Sequence, residues 1–391
     1  MNGASMLRSK PSSLFAGLLG NVSSLTLVIL GFECMLLGQS TESAKFSARS
    51  GKEIFSRGCI TCHGPDGKGM PQTTLGFEPP PTFPDFTDCV ATAREADDFW
   101  KPIVSNGGPA RGFSEIMPSF VEFLTSDQID AAIQYLRSFC REPAWPRGEL
   151  NLPRALVAEK AFLEDEAVIT TGIKAKGESG TEHKITYEKR FGVRNQIEAS
   201  LPFGFQPLDD GSWHGGIGDI ALGYKRLLVA SLKTGSILSI QGEVILPTGN
   251  DAKGFGKGVT IFETFASYGQ LLPGNSFFQF QSGIELPKDT DIANRAVYWR
   301  TMFGKSLYQG KGLGRMWSPM VELLADRELA TGEKINWDLV PQFQVTLNRR
   351  QHIRANAGIK IPVNDYGSRP IQVMFYLLWD WFDGGLRDGW K

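Results

Sequence analysis

The chain contains a C-x-x-C-H run formed by Cys59, Ile60, Thr61, Cys62 and His63. Two thiols three positions apart lie on one side of a helical turn, where they can bond the two vinyl groups of a haem while the imidazole reaches the iron. With 5 Cys and 4 His among 391 residues, chance produces such a run in roughly one chain in a thousand. The run therefore predicts one covalently attached haem c with His63 as an iron ligand.

Two other interpretations of the cysteine pair are a zinc site and a redox-active disulfide. Zinc requires a further set of paired ligands, and a thioredoxin-type pair requires a βαβ context. We find neither pattern in the sequence, so covalent haem attachment stays the prediction.

The residues around this run resemble those of the class I monohaem cytochromes c. Phe55 precedes the motif, an H-G-x-x-G-x-G turn spans residues 63–69, and an M-P-x-F stretch begins at Met117. The resemblance covers about residues 44–141 and implies an all-α domain that carries one haem. In that family the last helix crosses the first, which here places the crossing near Gly51 and Phe55.

The haem iron needs a second axial ligand, and Met70 and Met117 are the candidates within this stretch. The other histidines beyond the motif lie far along the chain, at His183, His214 and His352. Met70 follows the haem-bearing helix too closely to reach the opposite face easily, whereas Met117 follows a longer loop and matches the family's ligand motif. We therefore predict Met117, although a core methionine filling a packing gap is the alternative. His/Met ligation fills both axial positions and favours electron transfer over oxygen chemistry.

Two further features of this domain are expected. A ligating histidine usually donates its second ring N–H to a carbonyl group, and Pro80 or Pro81 is the candidate acceptor for His63. The closing helix has Ser126 as its expected N-cap, at the start of a helical stripe of apolar residues.

Cys89 and Cys140 are the cysteines that follow the motif. In an exported protein, a pair outside the haem motif is more often a disulfide than two thiols. We predict a Cys89–Cys140 bridge, which closes a loop of about fifty residues and adds roughly 4 kcal/mol in the chain-entropy model. Two buried unpaired thiols are the alternative.

Export is predicted from the N-terminal segment. Arg8 and Lys10 precede an apolar run over residues 14–37, and Gly38 and Ser40 supply the small residues of a cleavage site. Residues 1–40 therefore have the pattern of a secretory signal peptide. The length of the apolar run leaves an uncleaved membrane anchor as the alternative.

From about residue 166 to the end, apolar and polar residues alternate with a period of two. Clear examples are residues 278–286, 342–348, 353–361 and 371–381. The runs between turn signals predict about twelve antiparallel strands, and the proline-containing residues 142–165 are expected to form a linker before them. Because an even strand count returns the chain to its starting side, both ends of this half should lie together.

Alternation alone fits both a membrane barrel with a polar interior and a soluble sheet with one wet face. The export signal, the aromatic residues at strand ends, and the lack of a spanning helix or second helical layer favour an outer-membrane β-barrel at residues 166–391. Gly216–Ile220 and Leu246–Gly249 resemble the outer-membrane barrels of the phenol-degradation (MetA) pathway family, over about residues 160–391. That resemblance implies contact with outer-membrane lipid.

Polar side chains on these strands are candidates for lining a channel, and polar filling of a narrow barrel is an equally compatible role. The candidates are Asp219, Lys225, Gln241, Glu243, Gln279, Glu285, Arg300 and Lys360. With 41 basic and 42 acidic residues, the chain is nearly neutral, which gives no basis for nucleic-acid binding.

The combined prediction is a multidomain protein with an all-α class I cytochrome c domain followed by an antiparallel, about twelve-stranded β-barrel. Such a barrel is too narrow to enclose a folded haem domain, so the domain is expected in the periplasm, exchanging single electrons with a periplasmic redox partner protein. This function is that of an electron carrier, not of an enzyme. The alternatives are an outer-membrane porin for small solutes, aromatic ones included, with an accessory haem domain, and a soluble haem subunit of a dehydrogenase.

Overall fold

The computed structural model describes residues 50–81, 83–142, 144–176, 179–208, 210–308 and 313–381. The expected signal peptide at residues 1–40, and the first residues of the stretch that resembles a cytochrome, lie outside these ranges. Within them, a small helical domain is followed by a large antiparallel sheet.

The helical domain is built on two crossing helices, α1 and α6. An added Cβ at Gly51 of α1 would overlap the carbonyl oxygen of Ala131 in α6, so glycine permits the close approach. The rings of Phe55 and Tyr135 pack beside this contact with centroids 5.4 Å apart. The predicted crossing near Gly51 and Phe55 is confirmed. The helices are α1 Gly51–Gly58, α2 Ile60–His63, α3 Gln72–Leu75, α4 Cys89–Thr92, α5 Asp97–Asn106 and α6 Ser126–Arg137.

The N-cap of helix α6 is one residue earlier than the sequence predicts. Thr125, with extended backbone, accepts the backbone N–H of Gln128, and the Gln128 side chain accepts the N–H of Thr125 in return. This reciprocal pair satisfies two of the free N–H groups of the first turn. Thr125 is therefore the N-cap, and the expected Ser126 is the first helical residue.

Twelve long strands in the described ranges close into an antiparallel barrel. The order is β1-β2-β3-β5-β6-β7-β8-β9-β11-β12-β13-β14, and β14 pairs with β1. The short strand β4 pairs with β3, and β10 pairs with β11. The predicted strand number is confirmed. The strands are β1 Asp165–Lys176, β2 Thr181–Phe191, β3 Asn195–Pro207, β4 Trp213–Ile217, β5 Ile220–Ser231, β6 Ser236–Leu246, β7 Ile261–Leu272, β8 Ser276–Pro287, β9 Ala296–Lys305, β10 Leu307–Tyr308, β11 Met316–Glu328, β12 Asn336–Thr346, β13 Ile353–Pro362 and β14 Ile371–Asp380.

The two ends of the barrel differ. One end, which we call the docking end, holds the start of β1 and the end of β14, because Glu166 pairs with Asp380. Its connections include the tight turns 192–194, 232–235 and 273–275. The opposite end, the loop end, has longer connections that include residues 208–219, 247–260, 288–295 and 363–370.

The barrel is polar inside and apolar outside, the reverse of a soluble protein. Exposed side chains on the outer face include Ile185, Tyr187, Ile197, Leu222, Phe262, Phe303, Leu323, Phe343, Phe375 and Leu377. Buried side chains on the inner face include Glu188, Glu198, Lys225, Gln241, Gln279, Gln281, Glu322, Gln342, Gln344 and Asn356. Large apolar side chains facing outward on all sides require an apolar surrounding.

Residues 150–164, which we call the lumen segment, fill the barrel interior near the docking end. Its apolar side chains pack against the few apolar residues of the inner wall; Leu152 lies with Phe277 and Met302, and Phe162 lies with Leu227. Phe162 is 1% exposed. The second half of the expected linker is thus part of a packed core, because the barrel offers it apolar partners that the sequence alone does not reveal.

The backbone of the lumen segment is held by inward-facing polar side chains. Glu322 accepts the backbone N–H groups of Leu156, Val157 and Ala158 at 2.8–3.1 Å. Tyr376 donates its hydroxyl to the carbonyl oxygen of Arg154 at 2.8 Å. An irregular backbone inside a barrel needs such partners, since unpaired buried N–H and C=O groups are costly.

The helical domain packs against the docking end. Buried Arg94 forms an ion pair with buried Asp165, at the start of β1. Glu95 lies 3.1 Å from Nε2 of His352, in the turn between β12 and β13. Arg350 of the same turn lies over the ring of Phe113 at 4.4 Å.

None of the helices in the described ranges combines the length and the apolar composition that crossing a lipid bilayer requires.

Candidate functional site

Of the C-x-x-C-H residues, Cys59 lies between α1 and α2, and the other four form the short helix α2. The backbone N–H groups of Cys62 and His63 both donate to the carbonyl oxygen of Cys59, at 3.2 and 3.0 Å. One helical turn therefore carries both thiols and the imidazole, as the spacing predicts.

The two thiols are unpaired and half-buried. Burial, with the neighbouring Cys62, raises the pKa of the Cys59 thiol to about 11. At neutral pH this sulfur is therefore protonated. In the described ranges Cys59, Cys62 and His63 are not among the groups whose ligand atoms converge as a metal ion requires, which favours thioether bonds over a zinc site.

His63 is enclosed by two aromatic rings that the sequence did not single out. Its ring stacks on Phe83 with centroids 5.3 Å apart, and Phe86 lies 5.0 Å away. Burial lowers the pKa of His63 to about 4. The imidazole is therefore neutral at neutral pH, which is the form that ligates a metal.

The expected hydrogen bond from His63 to the carbonyl oxygen of Pro80 or Pro81 is not present in the described ranges. Nδ1 of His63 is buried and has no hydrogen-bond partner in the described ranges. The carbonyl oxygen of Pro80 instead accepts the backbone N–H of Phe83 at 2.9 Å, which closes the turn over residues 80–83. The orphaned ring nitrogen marks a site that is completed by a group other than these side chains.

Met117 lies on a loop that folds back over the end of α5. Its carbonyl oxygen accepts the N–H of Gly108 at 3.0 Å, and Phe120 N–H donates to Val104 at 3.1 Å. Phe120 also brings the loop close to α1, since a Cβ at Gly58 would lie 3.6 Å from its ring. These contacts place the M-P-x-F stretch beside the helix that bears the motif.

Met70, the competing ligand candidate, is tied to the motif itself. Its backbone N–H donates to the carbonyl oxygen of Cys62 at 2.9 Å. Gly69 N–H likewise donates to the carbonyl oxygen of His63 at 2.9 Å. This short connection keeps Met70 on the side of the motif, which favours Met117 as the ligand on the opposite face.

The predicted disulfide between Cys89 and Cys140 is confirmed, with Cα atoms 5.2 Å apart. It joins α4 to the residues that follow α6, and the two cysteines are 51 positions apart in sequence. The loop with Met117 lies between these two positions. The bridge therefore closes the covalent ring that contains this loop.

Residues 48–139 match the family model described as Cytochrome c. These residues form a cytochrome c domain. The family implies a covalently bound haem c, and the donor set agrees: two half-buried thiols on one helical turn, a buried neutral imidazole with an orphaned nitrogen, and a thioether on a neighbouring loop. The match ends before the barrel, so the resemblance of residues 160–391 to the phenol-degradation family stays a prediction.

The barrel is similar in outline to solved porin structures. The KdgM porin in complex with disordered oligogalacturonate has 4% identity and a TM-score of 0.37, covering 55% of this chain and 99% of that chain. An outer membrane channel from Pseudomonas putida F1 has 10% identity and a TM-score of 0.39, covering 59% and 100%. The NanC porin has 7% identity and a TM-score of 0.39, covering 55% and 98%. Because all three TM-scores lie below 0.5, we base no conclusion on them. The comparison with curated proteins returned no match.

The expected channel-lining residues divide into three groups. Gln279 and Arg300 donate to the lumen segment at Pro153 and Val157, and buried Lys225 lies 3.7 Å from Glu188. Asp219 instead accepts backbone N–H groups at Gly249 and Lys257, and so holds the loop between β6 and β7. The remaining four belong to the inner face by strand alternation and are Gln241, Glu243, Glu285 and Lys360.

Proposed function

We propose that this protein is a single-electron carrier whose cytochrome c domain is held at the periplasmic mouth of an outer-membrane β-barrel. The observation that carries the proposal is the packing of this domain on the docking end, with the lumen segment continuing from it into the barrel. The chain therefore contacts the barrel twice, through the docked domain before residue 150 and through the lumen segment after it.

The outer surface of the barrel supports a membrane location. Exposed apolar side chains cover the outward face of its strands. Tryptophans stand on that face near both ends, with Trp213, Trp299 and Trp337 toward the loop end and Trp317, Trp379 and Trp381 toward the docking end. Such aromatic bands flank the apolar surface of transmembrane barrels, where they meet the two interfaces.

The difference between the two ends supports the orientation. Outer-membrane barrels have short periplasmic turns and longer extracellular loops. The docking end has the tight turns, the start of β1 and the end of β14, and the cytochrome c domain packs there. Haem is also attached in the oxidising compartment beyond the inner membrane, where the Cys89–Cys140 disulfide persists.

Each residue of the site has a proposed role. The thiols of Cys59 and Cys62 would form the thioether bonds, and His63 and Met117 would be the axial ligands. When bound, haem c supplies one-electron oxidation and reduction. Both axial positions are then taken by protein side chains, which leaves no open position for oxygen or substrate and favours transfer to a partner protein.

The lumen segment supports an anchoring role for the barrel over a solute channel. Residues 150–164 occupy the interior with apolar packing and buried hydrogen bonds, and Leu163 is fully buried. A channel needs a continuous wet path, which this filling interrupts. The alternative of a porin therefore needs release of the lumen segment.

Location and orientation are tested in cells that produce the full chain together with a haem c maturation system. We expect the haem in the outer-membrane fraction. A protein oxidant too large to cross that membrane should oxidise the pre-reduced domain only after permeabilisation.

Recovery in the soluble fraction would contradict the membrane location, and oxidation in intact cells would contradict the orientation. The double variant Cys59→Ala with Cys62→Ala should show no haem staining on a denaturing gel, since only thioether bonds survive unfolding. The matched control, Cys89→Ala with Cys140→Ala, should keep the stain.

A further inference from the structure

A cavity of about 240 Å³, which we call the rim cavity, lies at the edge of the docking end. One wall comes from residues 144–149, the connecting segment that leaves the cytochrome c domain and leads to the lumen segment. The N–H of Gly148 donates to the carbonyl oxygen of Ala93 at 2.7 Å, which fixes this wall to the domain. The other wall comes from Arg194, in the turn after β2, and from residues 227–232. The rim cavity is therefore shared by the domain and the barrel.

The lining of the rim cavity is cationic on one side and apolar on the other. Its polar side chains are those of Arg147, Arg194 and Trp145, and the remaining side chains are leucine, alanine and proline. Among the described residues, no carboxylate lines it. A ligand that combines an anionic group with apolar chains matches such a lining, because each part then meets its own kind of surface.

Arg194 brings a positive charge that the protein leaves unmatched. Its side chain is exposed and forms no ion pair with a residue in the described ranges. Its carbonyl oxygen accepts the N–H of Leu227 at 2.9 Å, which holds the turn beside the cavity. Arg147, in contrast, is shared between Asp97 and Glu149 at 2.8 and 2.7 Å. Arg194 is therefore the lining residue that can pair with an incoming anion.

A second arginine lies against the ring of Trp145. Arg190 of β2 is 3% exposed, and its guanidinium carbon lies 4.3 Å from the centroid of that ring. Within the described ranges, Nε and Nη1 of Arg190 have no hydrogen-bond partner. The nearby Asp165 accepts the backbone N–H of Arg190 at 3.3 Å, while its ion pairs are with Arg94 and Lys189. The stacked guanidinium fixes the indole in place and adds positive charge beside the cavity.

Leucines connect the rim cavity to the apolar outer face of the barrel. Leu228 and Leu232 line the cavity and are 45% and 41% exposed. Leu228 is the extra residue of a β-bulge in the pairing of β5 with β6, and bulges re-aim side chains. The preceding Leu227 stays buried on the inner side. Acyl chains that lie along the outer face therefore reach the cavity without leaving apolar surroundings.

The rim cavity lies at the level expected for lipid headgroups. Trp381 stands on the outer face toward the docking end, and Tyr187 of β2 stacks on it with centroids 6.0 Å apart. The turn with Arg194 follows the end of the same strand. Because tryptophan and tyrosine rings of membrane barrels mark the interface with the headgroups, Arg194 meets the layer that contains the phosphate groups.

We propose that the rim cavity binds an anionic phospholipid, with its phosphate at Arg194 and its acyl chains over Leu228 and Leu232. This inference rests on the proposed function, because the lipid is at hand only if the barrel spans a membrane. A phosphate group accepts paired N–H donors from a guanidinium, and the indole N–H of Trp145 is a further donor. The bound lipid contacts both the connecting segment and β5, and so helps to hold the cytochrome c domain at the barrel.

The test uses the full-length, haem-loaded protein in a non-ionic detergent, stripped of lipid and titrated with a short-chain phosphatidylglycerol in a calorimeter. We expect saturable binding, and at least fivefold weaker binding of a phosphatidylcholine with the same chains, whose headgroup has no net charge. One cation beside an anionic headgroup is worth about fivefold in affinity, so Arg194→Gln should weaken phosphatidylglycerol binding by about that factor. The matched control, Lys305→Gln, removes an exposed cation of the docking end outside the rim cavity and should bind like the unaltered chain.

Equal affinity of Arg194→Gln and Lys305→Gln overturns the proposal, and so does equal affinity for the two headgroups. Inorganic phosphate titrated alone should not bind; binding as tight as that of the lipid would mean an anion site without a lipid and also overturns it. The headgroup comparison needs only the unaltered chain, so it decides the outcome even if a variant does not fold.

The failure of the lipid site differs from the failure of the proposed function. Recovery of the protein in the soluble fraction contradicts the membrane location, and this site with it. A barrel that is recovered in the outer-membrane fraction and shows no headgroup preference contradicts the lipid site alone.

Discussion

Arg94 of the cytochrome c domain and Asp165 of strand β1 form an ion pair whose side chains are 6% and 2% exposed. His352 lies beside it, between Glu95 of the domain and Asp380 at the end of β14, at 3.1 and 2.6 Å. Charges from both ends of the barrel sequence therefore meet the domain at one place. Removing one partner of such a buried pair is costly, because the other charge stays buried.

Arg94→Met should loosen the domain from the barrel. Breaking a buried ion pair costs about 3–5 kcal/mol, and the exposed Lys189 is then the cation paired with Asp165. We expect trypsin to cut near Arg141 at least tenfold faster in the folded variant. Asp130→Asn is the control. It removes an exposed ion pair with Lys101, worth about 0–1 kcal/mol, and trypsin should cut it at the rate of the unaltered chain. Equal rates in both variants would contradict a docked domain.

Replacing Cys89 and Cys140 together by Ala should destabilise the cytochrome c domain without removing its haem. Their separation of 51 positions corresponds to roughly 4 kcal/mol in the chain-entropy model. Denaturant titration followed by haem absorbance measures the loss. The control is the unaltered protein with its disulfide reduced, which should unfold at a midpoint similar to that of the double variant. If both midpoints equal that of the oxidised unaltered protein, the bridge adds no stability.

Met117→Ala should abolish the weak long-wavelength absorption that reports an iron–sulfur bond, and Met70→Ala should leave it. The physical reason is the tether from Met70 N–H to Cys62, which holds Met70 on the side of the motif. Absorption spectra of the oxidised variants make the measurement. If the band is lost in Met70→Ala and kept in Met117→Ala, the assignment of Met117 as the ligand is wrong.

Glu322→Leu should destabilise the packed lumen segment. The substitution leaves the N–H groups of Val157 and Ala158 without their acceptor, whereas Leu156 still donates to Gln342. Each unsatisfied buried group costs about 1–3 kcal/mol. We expect a lower temperature for the shift of the folded band on a denaturing gel, together with increased conductance in a planar bilayer.

Glu322→Gln is the control for this change, since its amide keeps an acceptor oxygen. Its stability and its conductance should lie between those of the leucine variant and the unaltered chain. A leucine variant as stable and as poorly conducting as the unaltered chain would mean that the lumen segment does not depend on these hydrogen bonds.

Local patterns predicted the parts of this protein that depend on near neighbours in the chain. The C-x-x-C-H run lies on one helical turn because its residues are three and four positions apart, and the period of two predicted strands because it describes alternation within a single strand. The N-cap of α6 differs by one residue, since both Thr125 and Ser126 carry a hydroxyl and only backbone geometry selects between them.

The lumen segment shows where local patterns were insufficient. Its prolines and charges are typical of a linker, while Leu150, Leu152, Leu156 and Phe162 were the signal of burial that sequence reasoning passed over. An apolar residue shows that it prefers burial, but not which surface buries it. The polar partners of its backbone at Glu322, which accepts, and Tyr376, which donates, lie more than 160 positions away.

The sequence by itself determined the haem motif, the helical and stranded halves, the strand number and the pairing of Cys89 with Cys140. Only the tertiary structure decided that Phe83 and Phe86 enclose His63, that residues 150–164 fill the barrel, and that glutamates of several different strands lie on its inner wall. The physical reason is register: residues of one strand share a face through local geometry, whereas residues of different strands become neighbours only when the barrel closes.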